Sequence, residues 1–264
     1  MHYLTIGAVF RTENSWLEEW IRYHIAVGVE HFILYNDDDD THVSDRILKP
    51  YVEQGIVENV HMNRGNNPFN HAGRYRSMLD SMTGSTRWLA FIDLDEFILP
   101  SHCDDLRQLL QEYEDYNGLA INWSIYGTSG YIKRPQTQIN HLLYRSETHW
   151  EPNKFVKSIV KPETVVRDNG DYVHYFPTTG GETVNESYEN VTWITHEIST
   201  EKVRINHYVV RSYQDFWEVK FQRNNAIGAP IQGNDYFERH DRNEVFDDEI
   251  SRRFGHIIQE GAVQ

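Results

Sequence analysis

Trp88-Leu89-Ala90-Phe91-Ile92 runs without a charge and then meets Asp93-Leu94-Asp95-Glu96-Phe97. An apolar run this short reads as a strand buried on both faces. Its abrupt end in carboxylates places charge at the C-terminal edge of a sheet, where open α/β sheets bind their ligands. Side chains alternate along a strand, so Asp93 and Asp95 are expected to point to the same side. Two carboxylates held there suit a hard divalent cation that keeps its other positions for water and phosphate oxygens. The alternative is a pair of turn or helix-capping carboxylates, and the position at the end of a buried strand favours the cation. Asp37/Asp39 and Asp38/Asp40 share the spacing and read as a solvated loop.

Outward from this stretch, strands and helices alternate. Thr5 to Phe10 is a short apolar run, and Leu17, Ile21 and Ile25 then repeat at helical spacing. Ser15 and Glu18 have the spacing of a capping box, and Gly28 supplies a stop. His31 to Tyr35 and Ile56 to His61 read as strands, Asp45 to Gln54 and Arg74 to Met82 as helices, with Pro50 a kink or boundary. Short connections between such elements predict a mostly parallel, Rossmann-like sheet covered on both faces. Beyond Pro100 the pattern becomes mixed and loop-rich. A helix over Leu106 to Tyr113 precedes strands at Leu119 to Ile125, Phe155 to Val160, Val191 to Thr195 and Val203 to Tyr208. Helices over Tyr213 to Asn224, behind the cap Ser212, and over Asn243 to Ile258 close the chain.

The 264 residues carry 25 Lys plus Arg against 40 Asp plus Glu, a net charge of −15, which argues against a duplex nucleic-acid binder. Aromatic residues make up 13%, too many for a disordered chain. One cysteine, Cys103, excludes a disulfide framework and favours a reducing compartment. No apolar run approaches the roughly 18 residues of a membrane span, and Met1 to Phe10 lacks a signal-peptide layout. A cytoplasmic protein without an integral membrane segment is the expectation. Outside the carboxylate pair, His207 ends the last strand and is a candidate imidazole ligand for the same cation. His174 is a weaker candidate. Lys154, Lys157 and Lys161, and likewise Lys220 and Arg223, are cations suited to a diphosphate, though a solvated helix face is the commoner reading of the second pair. Gly127-Thr128-Ser129-Gly130 after Trp123 and Tyr126 reads either as a flexible aromatic wall for a sugar or as a hairpin turn.

Taken in order, Arg11-Thr12-Glu13-Asn14, Glu19-Trp20-Ile21-Arg22-Tyr23-His24, Gly28-Val29-Glu30-His31-Phe32, Phe91-Ile92-Asp93-Leu94-Asp95-Glu96-Phe97, Lys157-Ser158-Ile159-Val160-Lys161-Pro162 and Asn206-His207-Tyr208 resemble the glycosyltransferases related to family 92 and the neighbouring family 2-like group. The resemblance runs to about Arg223. It implies a single GT-A-like domain over 1–264, with a nucleotide-sugar half at 1–100, an acceptor half at 101–210, and C-terminal helices with a lid at 211–264. It implies transfer of a sugar, with inversion, from a UDP- or GDP-sugar to a glycan or glycolipid hydroxyl. Asp93 then lies by the donor ribose and the diphosphate cation, Asp95 holds Mn²⁺ or Mg²⁺, and His207 is a further ligand. Ala8, Phe10 and Arg11 at the first strand end, with Asn36 and Asp37 at the second, hold base and ribose. Two departures, the run of four aspartates after Asn36 and His71 in place of a common Gln, touch the donor side.

An inverting displacement needs a carboxylate to take the acceptor proton. Glu151 is the nominee, ahead of Glu147 and Glu182, because it precedes Lys154 in the acceptor half. Lys220 or Arg223 adds positive charge to the leaving group as a lid closes. The resemblance implies a setting at the cytoplasmic side of polysaccharide or glycolipid assembly, peripheral to the membrane. The competing readings are a metal-dependent phosphohydrolase and a non-catalytic carbohydrate-binding protein.

Overall fold

The computed structural model describes residues 1–62, 71–168, 170, 172–223 and 233–259. The N-terminal half alternates as the sequence predicts: β1 (His2–Phe10), α1 (Asn14–Ala26), β2 (His31–Asn36), α2 (His42–Glu53), β3 (Val57–His61), α3 (His71–Met82) and β4 (Thr86–Phe91). Strands β3, β2, β1 and β4 lie side by side and parallel. Alternate residues of β1 feed two cores. Leu4, Ile6, Ala8 and Phe10 pack with Leu17, Trp20 and Ile21 of α1, while Val9 packs with Tyr75, Met78 and Leu79 of α3. Gly7 lets α3 approach the sheet, since a Cβ there would stand 3.0 Å from the Met78 sulfur.

The second half continues with β5 (Glu96–Pro100), α4 (Leu106–Gln111), β6 (Gly118–Ile125), β7 (Tyr144–Arg145), β8 (Val156–Val160), β9 (Thr183–Val184) and β10 (Val203–His207). It ends with α5 (Tyr213–Asp215), a π-helical turn over Phe216–Lys220, α6 (Gly233–His240), β11 (Val245–Phe246) and α7 (Glu249–Gln259). The sheet runs on past β4 in the order β8, β6, β10, β5, with β9 beside β6. Strand β8 is antiparallel to both its neighbours, and β5 is antiparallel to β10. The result is the mixed α/β sheet expected, parallel on the N-terminal side.

Several local expectations change. Ser15 lies inside α1, whose N-cap is Glu13 without a side-chain cap bond, and Ser15 Oγ instead accepts from Arg134 at 3.1 Å. Pro50 sits within α2, near its end, where only the Arg46 carbonyl loses a helical partner. Val191 to Thr195 forms isolated bridges around Trp193 rather than a strand. Of Tyr213 to Asn224, the last residue lies outside the described residues. The final helix begins at Glu249 instead of Asn243. Asp247, held by Arg145 and Arg204, accepts from the Glu249 amide at 3.2 Å, and β11 pairs with β7 just before it.

Strand β5 hides at the end of the carboxylate motif, and α1 holds it in place. Trp20 Nε1 donates to the Glu96 carbonyl at 2.9 Å, and Tyr23 donates to the Ile98 carbonyl at 2.9 Å. His24 completes the set: Nδ1 faces the Trp20 carbonyl at 2.8 Å, leaving Nε2 to accept from the Ile98 amide at 3.3 Å. Burial keeps this imidazole neutral, its pKa pushed down to about 3. Because the unfolded value is near 6.5, His24 contributes stability that is present above that pH and lost as the pH falls toward 3. Replacing it, His24→Met, is expected to cost about 2 kcal/mol at pH 7. In urea titrations at pH 7 and pH 4.5, the gap between variant and wild type should narrow at the lower pH.

Candidate active site

Strand β4 stops at Phe91, so Asp93 and Asp95 stand in the turn before β5 rather than on a continuing strand. The Glu96 amide closes that turn onto the Asp93 carbonyl at 3.0 Å. The two carboxylates therefore face different partners. Asp93 accepts from Lys157 Nζ at 2.8 Å and from the Tyr75 hydroxyl at 3.2 Å, and it keeps 39% of its side chain exposed. Asp95 is 4% exposed and accepts from Lys220 Nζ at 2.9 Å through Oδ2. Its Oδ1 lies 3.7 Å from His207 Nε2. Glu96 is fully buried between them, 3.5 Å from Lys157, with Oε2 accepting from the Asp93 amide at 2.8 Å. Register pairing of β10 with β5 sets His207 opposite Glu96.

Burial works against all three charges. At Asp93 the Lys157 ammonium outweighs it, and at Asp95 the Lys220 ammonium and His207 do, so both carboxyls lie below the ordinary range. Glu96 goes the other way. Burial and its two carboxylate neighbours push it up to about 8, against the pull of Lys157. Burial pushes the His207 imidazole down from its ordinary value, against the pull of Asp95. Asp93 and Asp95 are thus each countered by an ammonium group, Lys157 and Lys220, while Glu96 is driven toward its protonated form.

A cation site is compatible with these residues. A separation of 3.7 Å is too long for a hydrogen bond, and two ligands of one divalent ion at about 2.1 Å each span such a gap. The buried His207 Nδ1 and Glu96 Oε1 have no hydrogen-bond partner, leaving the ring free of a competing anchor. Among the described residues no group of three His, Cys, Asp or Glu side chains converges as a metal cage. Two protein ligands plus phosphate oxygens and water is the coordination that Mg²⁺-type sites commonly use.

The chain beyond β10 brings Lys220 here. Ser212 caps α5, accepting from the Asp215 amide at 3.1 Å, as its sequence position predicts. The following π turn, closed by Phe221 N to the Phe216 carbonyl at 2.7 Å, aims Lys220 at Asp95. Ion pairs fix this segment: Glu13, itself 2% exposed, takes Arg211 at 3.0 Å and Arg223 at 2.8 Å, and Asp215 takes Arg134 at 2.6 Å. Arg223 is thus held by Glu13 and the Arg11 carbonyl. The expected lid falls within 211–264, of which residues 224–232 and 260–264 lie outside the described residues; up to Arg223 the chain makes the ion pairs above.

The other expected donor residues take varied places. Ala8 and Phe10 are buried in the core, with side chains committed to packing. Arg11 reaches outward to Asp39 at 3.4 Å. Asn36 is buried and organises the next turn, donating to Ser44 and accepting from the Asp38 amide. Asp37 is no solvated loop residue, because it is 6% exposed and pairs with Arg74 at 3.0 Å. Glu151 is exposed at the start of a 3-10 turn, Glu151–Lys154. Gly127 to Gly130 is no flexible wall. A Cβ on Gly127 would meet Arg242 backbone, the Thr128 amide donates to Asp241, and Tyr126 is core. Trp123 stays partly exposed, 4.5 Å ring to ring from His207 and 5.3 Å from His174.

A family model described as glycosyltransferase family 92 matches residues 5–251. The chain belongs to glycosyltransferase family 92. Its relatives include a glycosyltransferase family 92 protein of Ricinus communis, 27% identical over 80% of this chain and 36% of that protein. Another is a family 92 protein of Arabidopsis thaliana, 24% identical over 84% of this chain and 37% of its own. A galactan beta-1,4-galactosyltransferase of Arabidopsis thaliana is 29% identical over 40% of this chain and 21% of that protein. The chain spans between 36% and 39% of the first family 92 relatives' length. The architecture of this family 92 chain is α/β, built on a mixed sheet that is parallel on its N-terminal side.

The charge balance gives the site a pH signature. A Glu96 carboxyl raised from about 4.5 to about 8 contributes stability that is present below the lower value and lost as pH rises through the upper. Glu96→Gln lacks this loss. Urea titrations are expected to show the variant gaining on wild type by on the order of 2 kcal/mol between pH 5 and pH 8.

Proposed function

We propose that this chain is the catalytic domain of a metal-dependent, inverting glycosyltransferase that moves a hexose from a UDP- or GDP-sugar to a glycan hydroxyl. The observation that carries the reading is the convergence of Asp95, His207 and Lys220 where β4, β10 and the π turn meet. Mn²⁺ or Mg²⁺ held by Asp95 and His207 would neutralise charge on the departing diphosphate. Lys220, on Asp95 in this state, lies within reach of the same phosphates and supplies a second positive charge. Asp93, fixed by Lys157 and Tyr75 yet partly open, is suited to accept a ribose hydroxyl.

In the transfer step the acceptor oxygen attacks the anomeric carbon, and its proton passes to a carboxylate, for which Glu151 is the proposed group. The bond from that carbon to the diphosphate breaks, and the nucleoside diphosphate leaves with the electron pair. Among the described residues no helix is long and apolar enough to cross a membrane. Galactosyl conjugates are the first donors to test, because galactan galactosyltransferases are among the relatives.

Calorimetric titration of UDP, GDP and their hexose conjugates, with and without Mn²⁺, tests the reading. One nucleotide should bind only with the metal, and Asp95→Ala should abolish that binding. Lys220→Ala should weaken the nucleotide about tenfold while leaving Mn²⁺ binding in place. Glu151→Gln should keep nucleotide affinity and lose transfer at least a hundredfold. Absence of nucleotide binding by folded wild type under either metal condition would overturn the proposal.

A further inference from the structure

Beyond the candidate centre, one part of the surface combines exposed aromatic area with a rigid backbone. Trp193 is 50% exposed, its neighbour Ile194 48%, and Phe155 42%. Large apolar side chains grouped at a surface mark interaction sites more often than scattered ones do. Trp193 also has φ of 84°, a left-handed conformation that a bulky side chain adopts only when its surroundings impose it.

The surroundings do impose it. On one side Val191 is buried and donates its amide to the Thr183 carbonyl at 3.0 Å. On the other, Thr195 is 3% exposed, donates its amide to the Lys154 carbonyl at 3.0 Å and accepts from Asn122 at 2.8 Å. Thr192 bridges Ile194 across the tip, and Ile194 bridges Phe155. The indole is therefore presented outward by an anchored turn. Tyr172 and Tyr175 each stand 6.4 Å from it, ring to ring.

A row of rings runs from the candidate centre to Phe155, whose backbone bridges that of Ile194. From His207 the rings step to Trp123 at 4.5 Å and from Trp123 to Phe155 at 5.6 Å. His174 fills the angle between them, 5.3 Å from Trp123 and 6.2 Å from Phe155. Phe155 then leads through its bridge partner Ile194 to Trp193. The row itself, His207, Trp123, His174 and Phe155, contains no carboxylate, lysine or arginine. A net charge of −15 disfavours an anionic lipid surface as the occupant, and a neutral polymer meets no such repulsion.

We propose that Trp193, with Phe155 and Ile194, is a distal acceptor subsite that stacks a sugar ring of a neutral glycan chain whose reacting end lies at Trp123. The apolar C–H face of a pyranose lies flat on an indole, and a ring held rigidly loses little entropy when it does so. This rests on the glycosyltransferase reading above. Its consequence is a preference for chains over short acceptors: remote binding adds to affinity only when the acceptor is long enough to reach Trp193.

The experiment is calorimetric titration of β-1,4-linked galacto-oligosaccharides, from galactose to the pentasaccharide, with UDP and Mn²⁺ present. Wild type, Trp193→Ala and Trp193→Phe are compared, and UDP binding is measured separately in each. Wild-type affinity is expected to rise with chain length. Trp193→Ala should lose roughly tenfold on the longer chains and nothing on the disaccharide, and Trp193→Phe should retain most of the gain. The same length dependence in Trp193→Ala would overturn the subsite, as would failure of wild type to bind any chain of the galacto, gluco or manno series while UDP binds. A dimer of wild type that Trp193→Ala dissociates, with glycan affinity unaltered, would assign the surface to a second copy and overturn it as well. Length-dependent glycan binding without nucleotide binding would uphold the subsite and remove the transferase reading.

Discussion

Strand β5 pairs with β10 along one edge, and α1 occupies the other with side chains in place of a strand. Trp20, Tyr23 and His24 together satisfy two carbonyls and one amide of Glu96 and Ile98. An edge strand left open would be free to slip or to pair with another chain. Here slippage would have a chemical consequence. Moving β5 by one residue would turn Glu96 out of the interior and drag Asp95 from Lys220 and His207. The helix that most resembles a generic amphipathic segment therefore fixes the position of the charged turn, and the register of β10 follows from the same strand.

The charged turn in turn depends on how its carboxylates are countered. Three acidic side chains in succession within a low-dielectric site would repel one another strongly. Lys157 on β8 and Lys220 on the π turn supply two compensating charges from segments far apart in sequence, and Glu96 resolves the remainder by holding its proton. Both lysines are nearly buried, so neither is an ordinary surface cation. Lys157 touches two carboxylates and is a fixture. Lys220 touches one, through the oxygen of Asp95 that does not face His207, and it sits on a turn whose single-residue expansion is easily altered. Under the proposed reading, a cation bound by Asp95 and His207 would change the balance by two charges, and Lys220 would be the group to turn toward a phosphate.

Much of the parallel half was legible because its signals are local. Strand runs of five or six residues, helical repeats on α1, Gly28 with its φ of 97° and the Ser212 cap all depend on neighbours within a few positions. The position of the carboxylates at a strand end was legible for the same reason, but their shared side was not, because the strand stops at Phe91 and they face different lysines. What escaped were features whose partners lie far along the chain. Strand β5 merges with the motif in the sequence because a four-residue turn between two apolar runs leaves no Gly or Pro to mark it. Glu13 lies in a quoted motif, yet its role as the clamp for Arg211 and Arg223 requires residues about 200 positions away. Lys157 and Lys161 look alike in the sequence. Alternation would put both on one side, and distance along the chain separates them: Lys157 near the start of β8 reaches Asp93, while Lys161, just past the strand, pairs with Glu114.

The clamp at Glu13 explains why a segment expected to move is in part rigid. Arg211 has φ of 54°, an unfavourable conformation for a long side chain, and it is held by Glu13 and by Gln138 at 2.8 Å. Gln138 is itself positioned by Glu19, which accepts its amide and that of Ile139. A buried carboxylate that takes two arginines is costly to break one contact at a time, because each loss leaves charge uncompensated. The chain from Arg211 to Arg223 therefore has fixed ends, and rearrangement between them is confined to the π turn. In this arrangement Lys220 is held at 2.9 Å from Asp95 by the fold itself, between two anchored ends of the chain.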